Sequence, residues 1–206
     1  MLFEIVKSGK PEDDLDPTFF GEILGVAGRV GVNFLEDFAR GGIAFQDASQ
    51  GIDVQDWQGF VREDGIYISP LAAPEQETFI LTDTRITEMT LAFDQLMNVA
   101  IAYKANGMTK LHWFDTISNM MITTEYPGAE SPFVVHDDVR NLQVNLGRSD
   151  VIFLYILDGW LRKRIQRDRY GVEYDLLDLD GQANRIIDAG LNKNLRLKID
   201  LGLQIR

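Results

Sequence analysis

Apolar and polar residues alternate with a period of two along most of the chain, and the apolar runs are broken at short intervals by Asp-Gly, Asn-Gly and Pro-Gly pairs. That alternation puts successive side chains on opposite faces, so it predicts strands rather than helices. The sharpest instance is residues 149–174, where the apolar run Val151–Leu157 is separated from Trp160–Ile165 by Asp158-Gly159 alone. Asp-Gly between two strand-like segments is a hairpin signal, because a type I′ turn needs positive φ at both central residues. Asp64-Gly65 and Asn106-Gly107 predict two further hairpins. Strands are also predicted over 42–45, 52–57, 60–62, 78–81, 86–93, 120–126, 133–135, 142–146 and 172–177, with a last alternating stretch over 195–205. A lone terminal strand is unstable, so this last one must pair with a sheet or with another chain.

The hairpins belong to a weak internal repeat. When residues 89–115 are laid on 142–168 with one gap, Tyr103 and Tyr155 each stand four residues before a turn glycine, and each unit then runs through a strand to Asp115 or Asp168. A unit of this length predicts a four-stranded meander, and the Asp64-Gly65 hairpin allows two or three such sheets. The predicted class is therefore mainly β, with antiparallel meanders in a propeller-like or sandwich arrangement, or sheets completed by neighbouring subunits, and few short helices. By the same reading, residues 1–70 form a strand-and-loop region and 71–206 the repeated meanders, with one continuous domain as the alternative. Gly21, Gly25, Gly28 and Gly31 argue against a long helix near the start, at ~1 kcal/mol per interior glycine. The stretch they punctuate lacks the lysine-serine ending of a phosphate loop.

Composition narrows the function. The chain has 206 residues, 45% of them apolar, no cysteine and a formal net charge of −12. It is long enough to bury a core, and it holds no thiolate metal site, disulfide or cysteine nucleophile. The charge opposes free, non-specific binding to nucleic acid, which phosphate neutralisation drives, but it suits a surface past which DNA slides. No apolar run approaches the ~18 residues of a membrane span, and the first residues lack a signal-peptide pattern, so synthesis in the cytoplasm is expected.

Candidate chemistry is sparse. His112 and His136 are the only histidines and lie 24 residues apart on different predicted segments, without metal-ligand spacing. Asp178-Leu179-Asp180-Gly181 has the start of a calcium loop, but its twelfth position is Ala189 rather than glutamate. No nucleophile elbow or zinc helix occurs. No catalytic, cofactor or metal residue is therefore assigned, and the chain reads as a non-enzyme. Trp57, Trp113 and Trp160 could serve a carbohydrate- or receptor-binding module, although isolated strand tryptophans are more often core. Arg162, Lys163, Arg164, Arg167 and Arg169 form a basic block. Its bland reading is an ion-pair network with Asp168, Glu173 and Asp175; its functional reading is an interface, for which arginine is suited.

Two segments, 86–115 and 137–176, carry Ala92-Phe93-Asp94-Gln95, Asp150-Val151-Ile152, Asp158-Gly159 and Gln166-Arg167-Asp168-Arg169-Tyr170 with Glu173. With the closing Asn192-Lys193-Asn194-Leu195-Arg196-Leu197, they resemble virion structural proteins of tailed bacteriophages that build the tail nozzle or head-to-tail connector. The resemblance covers roughly the last 120 residues. It implies a β-rich, non-catalytic subunit of a homo-oligomeric ring around the DNA exit channel, resident in the virion, touching other tail proteins and sliding DNA. The residues expected at the subunit interface are Arg162, Arg164, Arg167, Arg169, Leu195, Leu197 and Ile199.

Overall fold

The fold comes from a computed structural model and is described for residues 3–7, 35–44, 52–94, 97–136, 151–180, 184–191 and 197–203. The chain is mainly β. The first four-stranded antiparallel sheet runs β2 (Glu36–Ala44), β3 (Ile52–Arg62), β4 (Gly65–Pro70) and β5 (Thr78–Leu81). The second runs β6 (Ile86–Phe93), β7 (Val99–Ala105), β8 (Met108–Asp115) and β9 (Met120–Tyr126). The third runs β10 (Glu130–His136), β11 (Val151–Leu157), β12 (Trp160–Ile165) and β13 (Tyr174–Asp178), with a 3-10 turn at Gln166–Asp168. A fourth, mixed sheet has β15 (Leu197–Leu203) at its centre, antiparallel to β14 (Asn184–Leu191) and parallel to β1 (Phe3–Lys7). The last strand thus finds both of its neighbours within the chain. The boundary expected at residue 70 cuts through the first sheet, because β5 pairs with β4.

The repeat holds at the second and third strands of each meander. Asn106-Gly107 and Asp158-Gly159 are the two-residue turns β7–β8 and β11–β12, with φ of 53° and 75° and of 53° and 80°. Those values are the positive pair that a type I′ turn demands. Two sequence expectations shift. The β3–β4 turn consists of Glu63 and Asp64, neither with positive φ, and Gly65 is already the first residue of β4, opposite Arg62. A Cβ on Gly65 would lie 2.0 Å from the Leu81 carbonyl oxygen, so its glycine serves close approach of β5 rather than the turn. Likewise 52–57 and 60–62 are one strand, because Gly59 marks no break: a Cβ there would lie 2.9 Å from Leu91 Cδ2 on the next sheet. The first strand of the third meander is β10, not the predicted 142–146, which lies outside the described residues.

The sheets pack face to face in series. Ala39, Ile66 and Ile68 of the first meet Met89, Leu91, Ile101 and Tyr103 of the second. Ala100, Leu111 and Trp113 of the second meet Val134, Phe153 and Tyr155 of the third. Ile152, Leu154 and Leu161 of the third meet Ile186, Leu197 and Ile199 of the fourth. The first strands β2, β6, β10 and β14 lie side by side in that order, and burial falls from them toward the outer strands: in the second sheet β7 is almost wholly buried and β9 mostly exposed. This is a propeller-like arrangement of consecutive blades. Among the described residues β14 does not pack back on β2.

A strand edge in the middle of such a stack presents N–H groups that need acceptors. On each of β6, β10 and β14 one such group is met by a polar side chain of the preceding sheet. Leu91 N–H of β6 donates to Asp37 Oδ2 of β2 at 2.7 Å. Val134 N–H of β10 donates to Thr90 Oγ1 of β6 at 3.0 Å. Ile186 N–H of β14 donates to Ser131 Oγ of β10 at 2.9 Å. Asp37, Thr90 and Ser131 are all buried, so these three bonds are shielded latches from sheet to sheet. Thr90→Val keeps the shape and removes the acceptor. We expect it to cost about 1–3 kcal/mol in chemical denaturation and to speed hydrogen exchange at the Val134 amide. Unchanged exchange there would remove the latch role.

Candidate subunit interface

The basic strand β12 lies between the second and fourth sheets, and both of its faces are covered. Leu161 enters the core shared with β14 and β15, while Arg162 and Arg164 share the face of Tyr155, toward the second sheet. These arginines therefore lie between two sheets, and their contacts fit the ion-pair reading of the basic block through Glu173 and Asp175. Arg164 donates to the Tyr155 hydroxyl at 2.8 Å, to the Tyr170 carbonyl at 2.9 Å and to Glu173 Oε2 at 2.9 Å, and lies 5.2 Å from the Tyr126 ring centroid. Arg162 pairs with Glu173 at 2.6 Å and with Asp175 at 3.1 Å. The Tyr155 hydroxyl also donates to Glu173. Burial alone would raise the Glu173 carboxyl, but the bond from Tyr155 and the two guanidinium charges hold it below the usual carboxylate range. Burial also pushes the Tyr126 phenol up to about 12. Asp168 takes no part in this network and accepts from the Tyr174 hydroxyl at 3.0 Å.

Arg169 makes a second link. Its Nε and Nη2 donate to the two oxygens of Asp115 at 3.1 and 2.6 Å, tying the turn after β12 to the end of β8. Asp115 has a side chain only 1% accessible. Burial would raise its carboxyl, yet hydrogen bonds from Ser118 and then Arg169 outweigh that and hold it at about 2, below its ordinary 3.8. A depressed folded-state value means that the stabilisation is complete above about pH 4 and is lost as pH falls through 2. Asp115→Asn should lower the melting temperature at pH 7, and the gap from wild type should narrow as pH drops from 4 to 2. A gap independent of pH would refute the charge-assisted link.

Other expected interface residues divide. Leu197 and Ile199 are fully buried against the third sheet, which spends their surfaces inside the chain. Their expected place between subunits gives way to an intramolecular one. Arg167 is exposed on the 3-10 turn, and Leu195 lies outside the described residues. His112, on β8, is buried and bonds Thr123 Oγ1 through Nδ1 at 2.8 Å, whereas His136 ends β10 in another sheet. Asp178 accepts the Asp180 N–H at 2.9 Å in a tight turn, and Leu179 between them is buried. No group of three or more potential metal-ligating side chains occurs among the described residues. Trp113 is buried edge-on against Tyr170, with ring centroids 5.0 Å apart, so it offers no stacking platform.

One surface stands out that sequence reasoning missed. Phe60 pairs across the hairpin with Tyr67, as Tyr103 pairs with Lys110 and Tyr155 with Arg162. All three aromatics stand two residues before the end of the second strand of their meander. Tyr103 and Tyr155, 2% and 0% exposed, each face the preceding sheet and are covered by it. Phe60 faces away from the second sheet and is only half-buried. Its ring stacks on Tyr67 with centroids 6.0 Å apart, and Tyr67 meets Phe79, which is 48% exposed, edge-on at 5.3 Å. The Arg62 guanidinium lies 5.2 and 5.0 Å from the Phe60 and Tyr67 centroids and pairs with Glu77. Beside them a cleft of about 420 Å³ is lined by Leu35, Glu36, Phe60, Arg62, Ser69 and Glu77.

No family model matches the chain, and no curated protein or solved structure matches it.

Proposed function

We propose that this chain is a structural subunit of a tailed-bacteriophage virion, acting without catalysis in a nozzle or connector ring around the DNA exit channel. The observation that carries the assembly part of this reading is the open series of sheets. Three sheet-to-sheet interfaces are complete, yet β14 does not return to β2 among the described residues, and the first sheet keeps an aromatic face partly exposed. A chain whose repeated units do not close on themselves is suited to closure with copies of itself. The virion setting rests on the resemblance of the last 120 residues. The net charge of −12 fits a channel wall that repels the phosphate backbone and lets DNA pass without being gripped.

The test is the size of the purified protein. Sedimentation velocity across a wide concentration range should show a discrete oligomer, and negative-stain micrographs of that fraction should show rings. A monomer at every concentration, with no rings, would sink the reading.

A further inference from the structure

We infer that the face bearing Phe60, Tyr67 and Phe79 docks the β14–β15–β1 sheet of a second copy of this chain. The inference rests on the structural-subunit reading above and specifies the surfaces by which copies would join.

Two independent repeats within the chain point to this occupant. The first is the aromatic position before each hairpin turn. In the second and third meanders its ring is covered by the sheet that comes before it in the series. In the first meander the same position, Phe60, has the same orientation, but no earlier sheet covers it among the described residues. What fits over a position of this kind elsewhere in the molecule is a β-sheet face. The second repeat is the set of latches. Their direction is constant: the acceptor side chain sits on the earlier inner strand and the donor N–H on the later one, from β2 to β6, β6 to β10 and β10 to β14. The series therefore has a polarity, with β2 at its head and β14 at its tail.

The tail supplies the complementary surface. One face of the fourth sheet is in the core through Ile186, Leu197, Ile199 and Leu201. Ile187, whose side chain alternates to the other face, is 38% exposed. Placing the tail sheet of one copy before the head sheet of the next continues the pattern of the three internal interfaces. Because head and tail are different surfaces, the contact is heterologous, and repetition with the right rotation closes a ring.

The absence of cysteine makes a direct test simple. Within the chain this aromatic position meets the outer edge of the preceding sheet, as Tyr155 meets Tyr126 of β9 at 5.7 Å, and the outermost strand of the tail sheet is β1. Phe60→Cys and Val6→Cys, the latter at the β1 position in register with Asp200, are prepared separately and oxidised alone and as a mixture. A disulfide-linked dimer that forms efficiently only in the mixture is expected, because position 60 of one copy would meet the β1 edge of another. Efficient dimer from Phe60→Cys alone would mean a back-to-back, isologous contact and would overturn the inference, as would no enrichment in the mixture. Phe60→Glu is the companion experiment. It should weaken self-association by about tenfold or more, with the circular dichroism spectrum and melting temperature kept near those of wild type.

The outcomes separate the two claims. Wild type that assembles while Phe60→Glu assembles equally well removes this surface and leaves the structural-subunit reading intact. Wild type that stays monomeric removes both.

Discussion

Gly65→Ala should destabilise this protein by about 3 kcal/mol or more and bring much of it down insoluble, since an added methyl would meet backbone on two sides. The new Cβ would stand 2.0 Å from the Leu81 carbonyl oxygen and 3.1 Å from the Thr82 Cα. A flexible side chain could turn aside, whereas these atoms move only if β4 and β5 part. That separation would uncover Ile66 and Leu81, both buried in the core against the second sheet. Gly107→Ala is the control. Its Cβ would meet nothing within 4 Å, which leaves only the left-handed backbone to oppose it, at about 1–2 kcal/mol. Denaturant midpoints for the two variants should therefore differ widely, and equal losses would show that conformation rather than contact governs position 65.

The second large effect is expected at Arg164→Met, which keeps the apolar stem and removes the guanidinium. The loss removes the donor to the Tyr170 carbonyl and to the Tyr155 hydroxyl and one of the two guanidinium partners of the Glu173 carboxylate, in a part-buried site. Fully buried pairs broken from one side cost about 3–5 kcal/mol. Arg164 and Glu173 retain 19% and 28% of their side-chain exposure, so about 2–3 kcal/mol is expected here. Arg164→Met combined with Glu173→Gln should cost less than the sum of the single changes, because the partly unpaired charge is gone. Strict additivity in that cycle would dissolve the network into separate contacts.

Particular residues show how much of this architecture was legible in the sequence. The turns at 106–107 and 158–159 were readable because few residue pairs tolerate two positive φ values in succession. The arms around them follow from their apolar runs. Strand β2 was read too short: Glu36, Asp37, Gly41 and Gly42 resemble strand breakers, and nothing local shows that the Asp37 carboxylate is an acceptor for another sheet. The ion pairs of the β12 arginines with Glu173 and Asp175 were legible from the acids just downstream, but period-two patterning cannot tell that both faces of an interior sheet are buried. The aromatic at position 60 escaped for a register reason. Aligned on the glycines, Val61 falls on Tyr103 and Tyr155; aligned on the actual turns, Phe60 does, and one residue of slip exchanges the faces of a strand. The latch residues Asp37, Thr90 and Ser131 left a faint signal, as single polar residues in or beside buried apolar positions. Their partners are backbone amides 44 to 55 residues away, a separation that composition and period do not reveal.

The parallel pairing of β1 with β15 has a mechanical consequence. Phe3 to Lys7 lie in register with Leu197 to Leu201, so a load applied backward at residue 3 and forward at residue 203 pulls the two strands along their length in opposite directions. Such a force meets all five residue pairs at once, in shear, where an antiparallel hairpin pulled from its open end would peel one pair at a time. If the fourth sheet bears tension while a genome passes, this geometry resists it as a clasp does and not as a zip.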